Sequence, residues 1–218
     1  IDTCSIIGWG FGVMAGNATM VLDCDITGSV NGIRHQNVGL TVLGGRYEVN
    51  TIGIKVGYDE NDAGFQCGGV DIGGLSMELN QTAIQFGAVA SATIRACSIQ
   101  GGGSMAYGLR LISVQDTLVA GVVVGGTEYT SAGISVEGAT RLAMQGCLSN
   151  PSAGTAWNIA TGLASFSLDQ CNVDLTVAQL PVSARIGTVL PITDATATTV
   201  GSTVAGGSTN DVAAVWSA

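Results

Sequence analysis

Two aspartates, Asp23 and Asp25, flank Cys24 and form the clearest carboxylate pair in the chain. If Cys24 points into a core, alternation along a strand places both carboxylates on the outer face, roughly 7 Å apart. Inverting glycosidases have their acids at about this separation: one protonates the leaving oxygen and the other activates water. The simpler interpretation is two solvated charges, because any β-protein places some aspartates on its surface.

Basic residues are few, and three of the seven recur at one position. Arg34, Lys55 and Arg110 each come two residues after a small residue that precedes an apolar one. The same position holds Gln85, Ser135 and Ala160 in the other repeats. Such a column, pointing outward, would bind the carboxylates of an acidic polysaccharide. Chance, with pairing to nearby acids such as Glu137 and Asp116, is the alternative.

Two further side chains complete the predicted site. Arg46 is expected beside Asp25 in the next repeat, where its charge would set a carboxyl pKa. Tyr58 is expected at a corner or insert, where an exposed ring would stack on the apolar face of a sugar. Plugging a loop is the alternative role for Tyr58, and the same choice applies to Trp9, Tyr107 and Tyr129.

Metal and nucleophile sites find little support. The one histidine, His35, excludes a His-rich metal site and would have to carry any Ser-His-Asp triad. Residues 59–64 have the acidic spacing of a calcium loop, but Ala63 stands where a ligand is needed and no glutamate ends the loop. We therefore predict no cofactor and no metal among the site residues, with calcium at 59–64 as the alternative.

The elements that position these residues follow from the composition. The chain has 218 residues, of which 33 are glycine and only 11% are charged, so long amphipathic helices are not expected. Many short strands are expected instead. A net charge of −9 argues against nucleic acid as a partner. No run of 18 apolar residues exists, which predicts no membrane span.

A repeat of about 20 to 25 residues organises the chain, as in solenoid proteins. In each repeat a small residue precedes an apolar one, and an interior position follows 13 or 14 residues later. The small residues are Gly32, Gly53, Ala83, Gly108, Gly133 and Asn158, and the interior positions are Gly45, Cys67, Cys97, Val122, Cys147 and Cys171. Glycine and asparagine tolerate left-handed backbone angles, so we expect a corner at the small residue. The cysteines, with Cys4 and Cys24, are expected to be free thiols stacked in the core.

Between corners, apolar and polar residues alternate, as in Ile134, Ser135 and Val136. This alternation predicts half-buried strands, and stacked coils of such strands form an all-β parallel solenoid. We expect about eight coils over residues 1–175. Residues 176–218, which contain Pro181, Pro191 and an apolar tail near Trp216, are expected to cap the solenoid or to mediate oligomerisation.

The repeat spacing, the cysteine column and the stretch CDITGSVNGIRHQNVGLTV resemble the right-handed, single-stranded parallel β-helices of the pectate-lyase-like superfamily. Within it, the chain looks most like phage tailspikes and tail-fibre depolymerases. The resemblance covers roughly residues 1–175. It implies a homotrimeric virion domain that binds a bacterial surface polysaccharide, with hydrolysis by Asp23 and Asp25 left open. A non-catalytic structural or adhesive shaft and a monomeric polysaccharide lyase or epimerase are the alternatives.

Localisation is argued indirectly. Free thiols suit assembly in a reducing cytoplasm, followed by exposure outside the cell in a virion tail. No signal peptide is visible, and Ile1 already lies within the repeat, so we expect the chain to be a piece of a longer protein.

Overall fold

The computed structural model describes residues 1–8, 10–58, 66–101, 105–126, 128–160, 163 and 165–173, and two further strands at 189–195 and 210–215. The described residues form an all-β structure of parallel, stacked coils, which confirms the predicted β-solenoid. Among these residues no helix is long and apolar enough to cross a membrane.

Each coil passes first through a short strand and then through one or more longer ones. In chain order the strands are β1 (Ser5–Ile7), β2 (Phe11–Ala15), β3 (Thr19–Leu22), β4 (Asp25–Thr27), β5 (Asn31–His35), β6 (Val38–Leu43), β7 (Arg46–Glu48), β8 (Ile52–Val56), β9 (Cys67–Gly73), β10 (Ser76–Glu78), β11 (Thr82–Arg95), β12 (Ser98–Gln100), β13 (Met105–Ala120), β14 (Val123–Gly125), β15 (Glu128–Val136), β16 (Ala139–Gln145), β17 (Leu148–Asn150), β18 (Ala153–Gly154), β19 (Trp157–Ile159) and β20 (Ser165–Asp169).

Two parallel sheets result. The short sheet has the order β1-β4-β7-β10-β12-β14-β17, and the other strands of the solenoid form a long sheet. Five of the seven short strands have a neighbour on both sides, and the solenoid makes about five full turns. The prediction of eight coils is wrong, because the described residues make only about five turns.

Left-handed corners lie immediately before the short sheet. Asp23 (φ 46°), Ala96 (φ 50°) and Gly121 (φ 61°) are examples. In each coil the residue after this corner is interior, and the column reads Cys4, Cys24, Gly45, Leu75, Cys97, Val122, Cys147 and Cys171. Leu75 occupies the position predicted for Cys67, which instead begins β9 and pairs with Val89. The extra residues of that coil lie between β8 and β9. The spacing of 14 residues from Gly53 to Cys67 therefore matched the other repeats by coincidence.

The small residues predicted to be corners have a different reason for being small. Gly32 and Gly53 do not have a positive φ. A methyl group at Gly53 would lie 2.5 Å from Cε of Met77 and 2.6 Å from the carbonyl oxygen of Ala83, so lack of space excludes larger residues. Asn158 is not in register with these small residues, because it pairs with Ser135 and not with Gly133.

The interior is mainly apolar, and it also contains a pair of buried asparagines. Ile26, Ile54, Met77 and Ile99 are among its fully buried side chains. Asn50 and Asn80 form a buried amide ladder at the turn after the short sheet, where their side chains bond to backbone groups and to each other. All six cysteines are free, as predicted.

A separate pair of strands lies near the C-terminus. Strands β21 (Val189–Ala195) and β22 (Asn210–Val215) pair antiparallel, whereas the described pairs of the solenoid are parallel. Pro181 and Trp216 lie outside the described residues. The division at residues 175 and 176, and the role of the second segment, stay predictions.

Candidate functional site

The predicted catalytic carboxylates lie at a corner and at the start of the next strand. Asp23 adopts the left-handed corner and Asp25 begins β4, so they do not share one strand face as predicted. Both residues are exposed and Cys24 between them is buried, as alternation required. The Asp23 carboxylate lies over Gly44 of the next coil, where a side chain would collide with it. A bend therefore separates the two acids.

Arg46 lies beside Asp25, as the register predicts. The two residues pair across β4 and β7, with 3.8 Å between Nη2 and Oδ2. The same guanidinium approaches Glu48, 3.3 Å from Nε to Oε1. The side chains of Asp25 and Arg46 are each more than half exposed, so their mutual attraction is screened by water. This group of charges, Asp23, Asp25, Arg46 and Glu48, is called the acidic corner below.

The predicted column of basic and polar residues, called the polar column below, is aligned as predicted. Its first three members, Arg34, Lys55 and Gln85, are buried. Its members pair in register from coil to coil, and the last is Asn158 rather than Ala160: Arg34, Lys55, Gln85, Arg110, Ser135 and Asn158. Arg34 is 3% exposed and Lys55 is 6% exposed. The Phe11 ring lies 5.6 Å from Cζ of Arg34, and the Tyr58 ring lies 4.7 Å from Nζ of Lys55. These cation–π contacts cover two of the three cations that were expected to face solvent.

The second half of the polar column is joined by its own ion pair. Arg110 donates from Nε and Nη2 to the two carboxylate oxygens of Glu137, at 2.7 and 3.0 Å. Its guanidinium also lies 4.6 Å from the Tyr107 ring. The Arg110 hydrogen bonds lower the pKa of Glu137, and those bonds raise the pKa of Arg110. Ser135 donates to the same carboxylate, and Asn158 donates to Ser135. This half therefore binds neighbouring coils together.

The ring of Tyr58 is buried and not exposed as the predicted sugar contact requires. It is 8% exposed and accepts a hydrogen bond of 2.8 Å from Nε2 of Gln85. Tyr129 is also buried, whereas Trp9 and the predicted calcium loop at 59–64 lie outside the described residues. Within the described ranges, no group of three or more His, Cys, Asp or Glu side chains is placed to hold a metal ion.

A cleft of about 280 Å³ crosses the outer surface of the long sheet. Buried Val89 and Val114, with half-buried Ala88 and Ala90, form an apolar floor, and exposed amide and hydroxyl side chains form the rim. The rim residues are Gln66, Ser113, Gln115 and Thr140. The floor and rim residues together come from four successive coils, so the cleft spans about 14 Å along the stack. All eight lining residues are uncharged.

Sequence reasoning missed the cleft because no motif marks it. Its rim contains ordinary neutral residues, and these residues meet only when the coils stack. A partial signal was present: with the correct repeat, Ala88 and Ser113 fall at the same position, and small residues there leave room for a groove.

No protein-family model matches the chain, no curated protein is significantly similar to it, and no solved structure matches it significantly. The stacked parallel coils alone support the resemblance to the β-helix superfamily, which is a likeness of architecture. Function must therefore be argued from the surfaces described above.

Proposed function

We propose that the chain is a glycan-binding β-solenoid domain of a phage tailspike or tail fibre, homotrimeric in that setting, whose ligand is a bacterial surface polysaccharide. The observation that carries this proposal is the cleft across four coils, with its apolar floor and its rim of amides and hydroxyls. A groove that runs along the stack suits an extended polymer better than a compact ligand.

The chemistry of the cleft fits a sugar. Glutamine, serine and threonine each supply both donors and acceptors, which the hydroxyl groups of a sugar need. Valine and alanine side chains suit the apolar C–H face of a sugar ring, and small-molecule sites usually combine such a floor with a few polar groups. Since the lining is uncharged, we expect a neutral stretch of the polysaccharide to occupy it, rather than the acidic sugars that the polar column suggested.

The test is binding to a panel of neutral and acidic bacterial polysaccharides, with one variant that fills the cleft. Ser113→Trp should weaken binding at least about tenfold, because the new ring occupies the groove. Ser98→Trp is the matched control, because Ser98 is also exposed but lies on the short sheet. If neither variant changes the affinity, the cleft is not the site. If no glycan binds the unmodified chain, a structural shaft replaces the proposal.

Light scattering tests the tailspike setting separately from the cleft. A stable trimer is expected of the native particle. A monomer would contradict the tailspike setting and favour a free-standing binding solenoid. Six free thiols support assembly in a reducing compartment before exposure outside the cell, because persistent disulfides are typical of oxidising ones.

Hydrolysis at the acidic corner is a second candidate function. It is favoured by geometry: Asp23 and Asp25 are two exposed carboxylates close together in the chain, and Nη2 of Arg46 lies 3.8 Å from Oδ2 of Asp25. Asp23→Asn and Asp25→Asn should each abolish the release of new reducing ends from a bound polysaccharide. Unchanged turnover in both variants would remove the acidic corner from the mechanism.

A further inference from the structure

The interior column of the short sheet contains cysteines next to each other only at its two ends. Cys4 and Cys24 occupy the first two positions, and Cys147 and Cys171 occupy the last two. Cys97 lies between Leu75 and Val122, and Cys67 is outside the column. Cys4 with Cys24 therefore links the first two described coils, and Cys147 with Cys171 links the last two.

The geometry at both ends suits disulfide formation. Sγ of Cys4 lies 3.2 Å from Sγ of Cys24, so the two thiols already touch. Adjacent strands are about 4.8 Å apart, which is within the range of Cα separations that disulfides span. The register Gln145 to Asp169 places Cys171 directly above Cys147 in the same way.

Each pair combines one accessible thiol with one enclosed thiol. Cys4 and Cys171 are partly exposed, whereas Cys24 and Cys147 are fully buried. We propose that the two pairs are oxidation sites, at which a low-molecular-weight disulfide converts Cys4 with Cys24, and Cys147 with Cys171, into disulfides that cross-link neighbouring coils. The proposal is independent of glycan binding.

The reaction balances as two thiol–disulfide exchanges. The thiolate of the accessible cysteine attacks one sulfur of the small disulfide, forms a mixed disulfide and releases one small thiolate. The buried cysteine then loses its proton to that thiolate and attacks the accessible sulfur, which releases the second small thiol. Two protein thiols are thus oxidised by two electrons, and one small disulfide is reduced to two thiols.

The two ends should react at different rates. The hydrogen bond from Cys147 lowers the pKa of Cys171, which favours its thiolate form. The hydrogen bond with Cys24, followed by burial, raises the pKa of Cys4, which leaves less of the nucleophile. Burial raises the pKa of both Cys67 and Cys97 to about 11, and neither has an adjacent cysteine in the column. We therefore expect the C-terminal pair to oxidise first and these two thiols to stay reduced.

The experiment uses the full chain and oxidised glutathione. After incubation at neutral pH, free thiols are alkylated, and the peptides are mapped by mass spectrometry over time. We expect Cys147 linked to Cys171 early and Cys4 linked to Cys24 later, with Cys67 and Cys97 alkylated throughout. Cross-links that involve Cys67 or Cys97, a stable glutathione adduct on Cys171, or six alkylated thiols after long incubation would each overturn the proposal.

Variants and hydrogen exchange provide a second readout. Cys171→Ser should abolish only the C-terminal link, whereas Cys97→Ser, a matched loss of one column thiol, should leave both links intact. In the unmodified chain, oxidation should slow amide exchange in β1 and β17 by about tenfold, because a cross-link between neighbouring coils opposes their local opening. Equal exchange before and after oxidation would show that the links do not staple the coils.

Discussion

Two polar clusters lie within a few residues of each other beside the short sheet, one inside the solenoid and one outside it. Inside, Asn50 and Asn80 are almost fully buried, and their amides bond to backbone groups of neighbouring coils. Outside, Asp25 and Arg46 face water at 3.8 Å from each other. The inner cluster is fixed by hydrogen bonds that water cannot replace, whereas the outer cluster is free to rearrange.

Most of the charged side chains that pair in the described residues do so between coils. Several ion pairs outside the core connect one coil to the next, as Arg95 does with Asp71, Arg141 with Asp116 and Arg110 with Glu137. A ligand would have to displace such partners. The neutral cleft and the weakly paired acidic corner are the surfaces that a ligand reaches without that cost.

The largest expected effect is in the inner cluster. Asn50→Leu keeps the branching at Cγ but leaves the backbone N–H of Ser29 and the carbonyl of Ile26 without their amide partner. The free energy of unfolding in urea should fall by about 3 kcal/mol, because two buried polar groups lose hydrogen bonds. Asn17→Leu, an exposed asparagine whose one bond is 3.3 Å long, is the control and should cost less than about 1 kcal/mol. Equal losses would contradict the contrast between the two clusters.

His35 extends the comparison to a buried group that titrates. Burial lowers its pKa below the ordinary value of 6.5, although the carbonyls of Ala15 and Asn37 oppose the shift. Below about pH 6.5 the unfolded state then binds more protons than the folded state, so stability falls as the pH falls through that window. His35→Leu should remove this part of the loss in urea titrations at about pH 7 and about pH 5. Parallel losses in both proteins would show that other groups cause the acid sensitivity.

Glu137 and Arg110 form an intermediate case, because both side chains are about a quarter exposed. Arg110 lowers the pKa of Glu137 from 4.5, so the pair stabilises the fold above about pH 4.5, and this contribution is lost as the pH falls through the lower folded value. Glu137→Gln should cost about 1 kcal/mol at neutral pH and nothing once the carboxylate is protonated. A cost that does not change with pH would indicate lost packing instead of a lost charge.

The repeat in the sequence was sufficient to predict the fold, because alternating strands and small residues recur at fixed spacing. It was not sufficient to fix the register in two coils. At Cys67 and Asn158 a plausible spacing concealed an altered connection, since a count of residues does not show on which side of a strand an insertion falls.

For the candidate site, register was predictable and exposure was not. The contact of Arg46 with Asp25 follows from stacking alone. Arg34 and Lys55 are buried because aromatic rings cover them: Phe11, from another strand, covers Arg34, and Tyr58, which follows β8, covers Lys55. The cleft is lined by residues of four stacked coils, and no motif in the sequence marks them.

The smallest effect is expected in the acidic corner. Asp25→Asn removes one charge from a pair that is more than half exposed, so the free energy of unfolding should change by less than about 0.5 kcal/mol. Thermal and urea denaturation, compared with Asn50→Leu, would measure this. A small change would make the variant a clean test of hydrolysis, because lost turnover could not then be attributed to unfolding. A loss above about 1 kcal/mol would instead assign Asp25 a structural role at the start of β4, since exposed ion pairs do not contribute that much.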